Sequence, residues 1–258
     1  KKFVHKSAPV LIAHRGYPSA FPENSLEGIT AALEAGACFV EFDIQLSADE
    51  VPVLLHDKSL LRTTGVDKSV FDCTLDELRS CSAGEPTRFG SQFQNVRIPT
   101  LTDAVDLLRQ WPGARAFVEI KRDSLDHHGH ELVLDKVMES ISPVHEQCII
   151  ISFDYQFIAA AKLAGTVQTG WAIKSMRKKS YRQALELAPD FLFFSTRLLP
   201  SSAGALWSGP WQWVIYTVNE PEQALQLGEL GIGLIETDRI GEMFEHPALN
   251  EVRCKHGR

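Results

Sequence analysis

Long apolar runs are scarce in this chain of 258 residues, and none is long enough to cross a bilayer. The opening stretch "KKFVHKSAPVLIAHRG" is interrupted by charge too early for a secretory hydrophobic region. Positive charge is also in short supply: 26 Lys and Arg against 33 Asp and Glu give a net charge of −7, which favours solubility and gives no reason to expect a nucleic-acid partner. There is no Pro/Ser/Gly linker, low-complexity run or solenoid repeat, so a single domain over 1–258 is the expected organisation. Five cysteines occur (Cys38, Cys73, Cys81, Cys148 and Cys254), with no CxxC pair and an odd total. Reduced, mostly buried thiols in a cytoplasm are the expectation.

What is present is alternation. Short β-branched and aromatic runs at 9–14, 38–46, 115–121, 148–153, 168–174, 191–196, 211–218 and 233–237 read as strands, with helical patterns between them. Asn24 and Glu27 suggest a capping box before "LEGITAALEAG", Asp154 a cap before "YQFIAAAKLAG", and Pro221 a first-turn proline. The connection "RLLPSSAGALWSGP" holds at most a short helix. Strand then helix, repeated about eight times, fits a TIM (β/α)8 barrel or a doubly wound sheet. The polar residues favour the barrel, because His14, Glu41, Asp43, Glu119 and Lys121 all fall at the C-terminal ends of strands, where barrels place their chemistry. Residues 51–100 do not fit the repeat. "VPVLLHD" reads as a strand folding back and "TLDELRSC" as a small helix boxed by Thr74 and Glu77, so this roughly 50-residue insertion after the second strand is expected to be a lid or substrate-side subdomain.

The second strand, "FVEFDIQL", poses a problem. Glu41 and Asp43 lie two apart in a buried segment and so share a face, where they repel each other and lose hydration. A hard divalent cation resolves this best, and Glu119 in "FVEIK" offers a third carboxylate. The lack of cysteine or clustered histidine among these ligands argues against zinc. Mg²⁺ and Ca²⁺ fit equally, with Mn²⁺ as a further candidate. His14 and His56 can supply a general acid and a general base, while Arg15 and Lys121 can neutralise a phosphate. Such a set suits phosphodiester cleavage. Carboxylic-ester hydrolysis would want a nucleophile elbow, and no GxSxG is present.

The stretch "HRGYPSAFPENSLEGITAALEAGACFVEFDIQLSADEVPVLLHDKSLLRTTG" (14–65) resembles the glycerophosphodiester phosphodiesterases of the bacterial cytoplasmic type, with His-Arg-Gly, Pro-Glu-Asn-Ser, Glu-x-Asp, His-Asp and Arg-Thr-Thr-Gly in order. "EIK" at 119–121, "SF" at 152–153, "TVN" at 217–219 and "TD" at 237–238 extend the resemblance over nearly the whole chain. It implies a TIM barrel with a long insertion after the second strand and one divalent metal on Glu41, Asp43 and Glu119. It further implies acid–base catalysis by His14 and His56, and a phosphate held by Arg15 and Lys121. The expected substrates are small glycerophosphodiesters such as glycerophosphocholine or glycerophosphoethanolamine, cleaved to sn-glycerol 3-phosphate and an alcohol, with water or the substrate's glycerol hydroxyl as nucleophile. Tyr216 replaces the family's usual Trp before "TVN", and "GIGLIETD" brings in Glu236 where the family has an apolar residue. A lysophospholipase D or sphingomyelinase D-like enzyme is the rival within this chemistry, and a non-catalytic binding barrel the rival outside it. The expected state is a monomer or homodimer with no stable membrane association.

Blander readings hold elsewhere. "DHHGH" (His127, His128, His130) reads as a solvated loop before a helix at 131–140, and "KSMRKKSYR" (174–182) as a solvated loop and helix start. Trp207, Trp211 and Trp213 are expected to pack in the barrel, and Phe153, Trp171 and Tyr216 to wall the pocket. Asp57 either orients His56 or caps the next turn.

Overall fold

The computed structural model describes residues 8–165, 167–199 and 206–255. Its strands are β1 (Val10–Ala13), β2 (Phe39–Leu46), β3 (Pro52–Leu54), β4 (Arg115–Ile120), β5 (Cys148–Ser152), β6 (Gln168–Ala172), β7 (Phe191–Ser195), β8 (Gln212–Tyr216) and β9 (Leu234–Thr237). All but β3 run parallel in the order β1-β9-β8-β7-β6-β5-β4-β2, and a β1–β2 pairing (Ile12 opposite Phe39) closes them into an eight-stranded barrel with helices outside. β3 folds back antiparallel on β2, with Ile44 opposite Leu54.

Side-chain alternation divides the core in two. Outward-facing residues such as Leu11, Val40, Phe42, Val118 and Ile150 pack under the helices. Inward-facing Ile12, Phe117, Ile149, Phe191, Phe193, Val214 and Leu234 fill the barrel. Phe117 meets Phe191 and Phe193 edge-on at centroid distances of 5.1 and 5.2 Å. Gly170 makes room for them, since a Cβ there would lie 2.8 Å from both Ile151 and Phe193. Each buried aromatic contributes on the order of 2–3 kcal/mol. The next inward layer is different in kind, because it carries Glu41, Asp43, Glu119 and Glu236. Desolvating one carboxylate costs several kcal/mol, more than one aromatic contributes, so this layer holds only if cations and hydrogen bonds compensate it.

The insertion at 51–100 has its own small core of Val53, Leu60, Val70, Leu78, Val96 and Ile98. The Thr74/Glu77 capping box is formed on its helix Leu75–Ser80. Glu85 ties this segment to the β1 loop, accepting from the Glu23 N–H at 2.7 Å. Phe71 stacks on His127 at 4.3 Å between centroids.

Three local expectations are corrected. Ser25, not Asn24, caps the helix Leu26–Ala35, its hydroxyl accepting from the Gly28 N–H at 3.0 Å. Asn24 has φ 54°, turned away from the helix and into the barrel mouth. "DHH" is no loop: residues 126–128 end a helix, Arg122–His128, whose side of the barrel Phe71 covers. Cys38 and Cys254 are not thiols but form a disulfide across 216 residues. The C-terminal segment runs beneath the barrel, where the Cys254 N–H donates to the Gly36 carbonyl at 2.9 Å, a contact that no sequence spacing reveals. Cys73, Cys81 and Cys148 are free. The Asp154 cap and the first-turn Pro221 are as expected. The weak connection contains a short 3-10 turn, Thr196–Leu198, and its residues 200–205 lie outside the described residues.

Candidate active site

The C-terminal ends of the strands surround a cavity of about 170 Å³. Barrel geometry puts Asp43 and Glu119 side by side, for they are direct partners across β2 and β4, and Glu41 sits two residues earlier on the same face of β2. One oxygen from each of the three lies within 4.8 Å of the others. Glu41 Oε2 accepts from the Arg15 N–H at 3.0 Å, while Oε1 is buried without a hydrogen-bond partner among the described residues. The Lys121 ammonium bridges the other two, 2.7 Å from Glu119 and 3.2 Å from Asp43. A buried carboxylate oxygen left over, beside two carboxylates already gathered around a cation, fits a divalent metal bound by Glu41, Asp43 and Glu119.

Asp43 is the most heavily compensated group. Asn24 brackets it, donating from Nδ2 to Oδ2 and accepting the Asp43 N–H on Oδ1, both at 3.0 Å. Arg15 Nε stands 3.1 Å from Oδ2, close enough for charge attraction although not aligned as a hydrogen bond. Burial works against the Asp43 charge, but Lys121, Arg15, His56 and the Asn24 amide outweigh it and hold the carboxyl well below the usual range. Glu41 goes the other way: burial, then Asp43, Glu236 and Glu119, raise it well above the carboxylate norm. Burial also disfavours the two cations, yet the surrounding carboxylates, Asp43 foremost, raise both Arg15 and Lys121. Arg15 Nη1 is held by Glu23 at 3.2 Å, and Glu23 in turn takes a bidentate fork from Arg62 at 2.7 and 2.8 Å.

Two histidines flank this cluster in matching fashion. His14 follows β1, its N–H bonded to the Thr237 carbonyl of β9 at 3.0 Å. Its Nδ1 lies 2.7 Å from Asp238 Oδ1, and Nε2 faces Glu41 at 3.9 Å. His56 follows β3; the Leu55 N–H bonded to the Asp43 carbonyl and the Gln45 amide bonded to the His56 carbonyl fix it at the mouth. Its Nδ1 lies 2.6 Å from Asp57 Oδ1, and Asp57 Oδ2 accepts from Arg62 Nε at 2.7 Å. Asp57 therefore orients His56. A carboxylate at Nδ1 favours the proton there and leaves Nε2 of each ring without it. For His14, burial opposes the charged form, but the Asp238 hydrogen bond with the Glu236 and Asp238 charges outweighs it, so its pKa is raised.

The cavity is also lined by Arg15, Lys121, Ile151, Phe153, Tyr216 and Glu236. Phe153 and Tyr216 form its aromatic wall, edge to face at 6.3 Å. Trp171 does not: it alternates outward and packs on Tyr155 at 5.3 Å. Trp207, Trp211 and Trp213 pack outside the barrel with Tyr181 and Phe194. Glu236 is 4 % exposed and lines the cavity, where burial drives its carboxyl up to about 7. His127 and His128 lie against Phe71, and His130 pairs with Asp154 at 3.1 Å, so these three do not converge. Sequence reasoning missed three supports of the site. Asp238 and Asn219, which donates to Asp238 Oδ2 at 3.1 Å, were visible only as short "TD" and "TVN" fragments, and Asn24 only as a candidate helix cap and a member of the Pro-Glu-Asn-Ser match.

The fold and site define a barrel enzyme with three clustered carboxylates, two carboxylate-oriented histidines and two cations in one small cavity. The sequence matches the glycerophosphoryl diester phosphodiesterase family over residues 14–242. It is 30% identical over 234 residues to a glycerophosphodiester phosphodiesterase of Caldanaerobacter subterraneus subsp. tengcongensis, covering 89% of this chain and 93% of that protein. Among solved structures, an Oleispira antarctica phosphodiesterase in complex with the product sn-glycerol 3-phosphate superimposes with a TM-score of 0.82 at 25% identity, over 94% of this chain and 97% of the other. A putative glycerophosphoryl diester phosphodiesterase from Silicibacter pomeroyi shares the fold with a TM-score of 0.80 at 20% identity, over 97% and 96% of the two chains. The chain belongs to the glycerophosphoryl diester phosphodiesterase family and is a glycerophosphodiester phosphodiesterase. No helix among the described residues is long and apolar enough to cross a membrane.

Proposed function

We propose that the enzyme hydrolyses small glycerophosphodiesters, such as glycerophosphocholine and glycerophosphoethanolamine, to sn-glycerol 3-phosphate and an alcohol, using a divalent metal and the His14/His56 pair. The observation that carries this reading is the pairing of two Nδ1-anchored histidines with the Glu41, Asp43, Glu119 cluster around one cavity. A bound Mg²⁺ or Ca²⁺ would neutralise charge developing on the phosphoryl oxygens. Arg15 and Lys121 add fixed positive charge on the same side. One imidazole Nε2 takes the proton of the attacking water or glycerol hydroxyl as its oxygen bonds to phosphorus; the other gives a proton to the leaving alcohol oxygen as its bond to phosphorus breaks, and where the glycerol hydroxyl attacks, water then opens the cyclic phosphate. Tyr216 walls the substrate side.

The cavity volume of about 170 Å³ favours a small polar diester over an acyl-bearing lysolipid. Residues 51–100 act in this reading as a substrate-side subdomain that contributes His56 and closes over the phosphate. A cytoplasmic location, expected from composition, stands against the Cys38–Cys254 bond, which is typical of oxidising compartments. The test of the site uses two variants: Glu41→Gln should lose calorimetric metal binding and activity together, whereas His14→Ala should lose activity with metal still bound. Activity retained by both would overturn the assignment.

A further inference from the structure

One group of charges is not used by this chemistry. Lys174, Arg177, Lys178 and Lys179 follow β6, and Arg197 follows β7, so all lie on the catalytic side of the barrel. All five are exposed, and none makes an ion pair with a described residue. Their isolation is local, because the chain as a whole carries an acidic excess of seven. Several other cations on this rim are matched: Arg122 and His130 meet Asp154, and Arg239 meets Glu220 and Glu242. The segment also opposes its own helix. Lys178 and Lys179 occupy the first turn of the helix Lys178–Leu187 with no acid there and no side-chain cap, which puts positive charge at the positive end of the dipole. The helices Leu26–Ala35, Leu101–Arg109 and Pro221–Glu229 each place an acid in that turn. A local rule broken without compensation within the protein points to compensation from outside it.

The patch is continuous with the active site. Lys174 Nζ stands 5.8 Å from the centre of the Phe153 ring, and Phe153 lines the cavity with His14, His56 and Lys121. Lys174 thus stands beside the cavity wall, and the other four cations follow strands β6 and β7 on the same side of the barrel. Resting on the function proposed above, we propose that this rim binds a second anionic group, a phosphate carried on the alcohol side of the diester, so that the enzyme prefers glycerophosphodiesters whose leaving alcohol is itself phosphorylated. The guanidinium and ammonium groups suit phosphate oxygens, the arginines through paired donors.

The matched probes are glycerophosphoinositol and glycerophosphoinositol 4-phosphate, which differ only in the second phosphate. The expected result is a kcat/KM about tenfold higher for the phosphorylated probe at low salt, falling toward parity near 1 M salt, as exposed charge contacts do. In the R177S/K178S/K179S variant, which keeps Lys174 and Arg197, the ratio should fall at least about threefold, carried by KM. Its melting temperature should be no lower than that of the parent, since the substitutions remove charge that opposes the helix dipole. Equal kcat/KM for the two probes in the parent enzyme would overturn the proposal. So would an unchanged ratio in the variant, or binding to phosphatidylserine vesicles that the variant loses while the ratio stays the same, which would assign the patch to a lipid surface. Failure of the parent enzyme to cleave either probe or glycerophosphocholine would instead overturn the reading on which this one rests.

Discussion

Replacing Asp238 by Asn tests whether the His14 imidazole works through Nε2. Asp238 Oδ1 faces His14 Nδ1 at 2.7 Å, while Oδ2 receives the Asn219 amide at 3.1 Å and the Asp238 N–H donates to Asn219 Oδ1 at 2.9 Å. Asn219 therefore presents a donor that only an oxygen can meet. In Asp238→Asn the remaining oxygen turns toward Asn219 and the new NH₂ toward His14, donating to Nδ1. The ring proton then moves to Nε2, the nitrogen assigned to the chemistry. Losing one charge-assisted hydrogen bond costs roughly 1.5–3 kcal/mol, and the partial exposure of Asp238 favours the lower half of that range. The inverted tautomer adds to this, so kcat/KM should fall at least about tenfold, and by more than in Asp238→Ala, where no amide competes for Nδ1. The pH profile should move as well. Asp238 helps to raise the His14 pKa, so its loss should shift the limb controlled by His14 to lower pH. Stability carries the same sign: a raised folded-state pKa stabilises below the unfolded value of 6.5 and is lost as pH rises through the folded value. Parent and Asp238→Asn melting curves should therefore differ more at pH 5.5 than at pH 8.5. An Asn variant within twofold of the parent, with an unmoved pH profile, would refute the role of Nε2.

Other outcomes follow from single contacts. Asn24→Ala removes two buried hydrogen bonds to Asp43 and should destabilise by about 2–4 kcal/mol, read by urea unfolding, with metal affinity weakened in parallel. Gly170→Ala places a methyl 2.8 Å from Ile151 and Phe193 and should cost about 1–3 kcal/mol of stability, read as a lower melting temperature. Cys254→Ser opens a 216-residue loop, for which chain entropy sets an upper limit of about 5 kcal/mol; a thiol count should rise by one after denaturation, because Cys38 is freed.

Strand–helix alternation and the clustering of polar residues at strand ends made the barrel legible, because both depend on a period that each strand displays by itself. Glu41 and Asp43 were legible for a related reason: two carboxylates inside one buried strand violate its pattern. Asp238 and Asn219 were not, since each is an ordinary loop residue until barrel closure brings β9 and β8 beside β1. Asn24 was misread because asparagine before a helix usually caps it, and only its positive φ turns it toward Asp43. Trp171 was expected on the pocket wall because it lies near a strand end, but alternation along β6 turns it outward. The disulfide lay beyond any spacing argument, because Cys254 reaches Cys38 only after the barrel is complete.

The most direct test of the central claim is release of sn-glycerol 3-phosphate from glycerophosphocholine by the chelated enzyme, then with Mg²⁺, Ca²⁺ or Mn²⁺ restored. Release that disappears with chelator and returns with one of these ions is the expected result, and makes Glu41, Asp43 and Glu119 the holders of that ion. Full release from rigorously metal-free enzyme would contradict the account, leaving Lys121 and Arg15 as the cations those carboxylates serve.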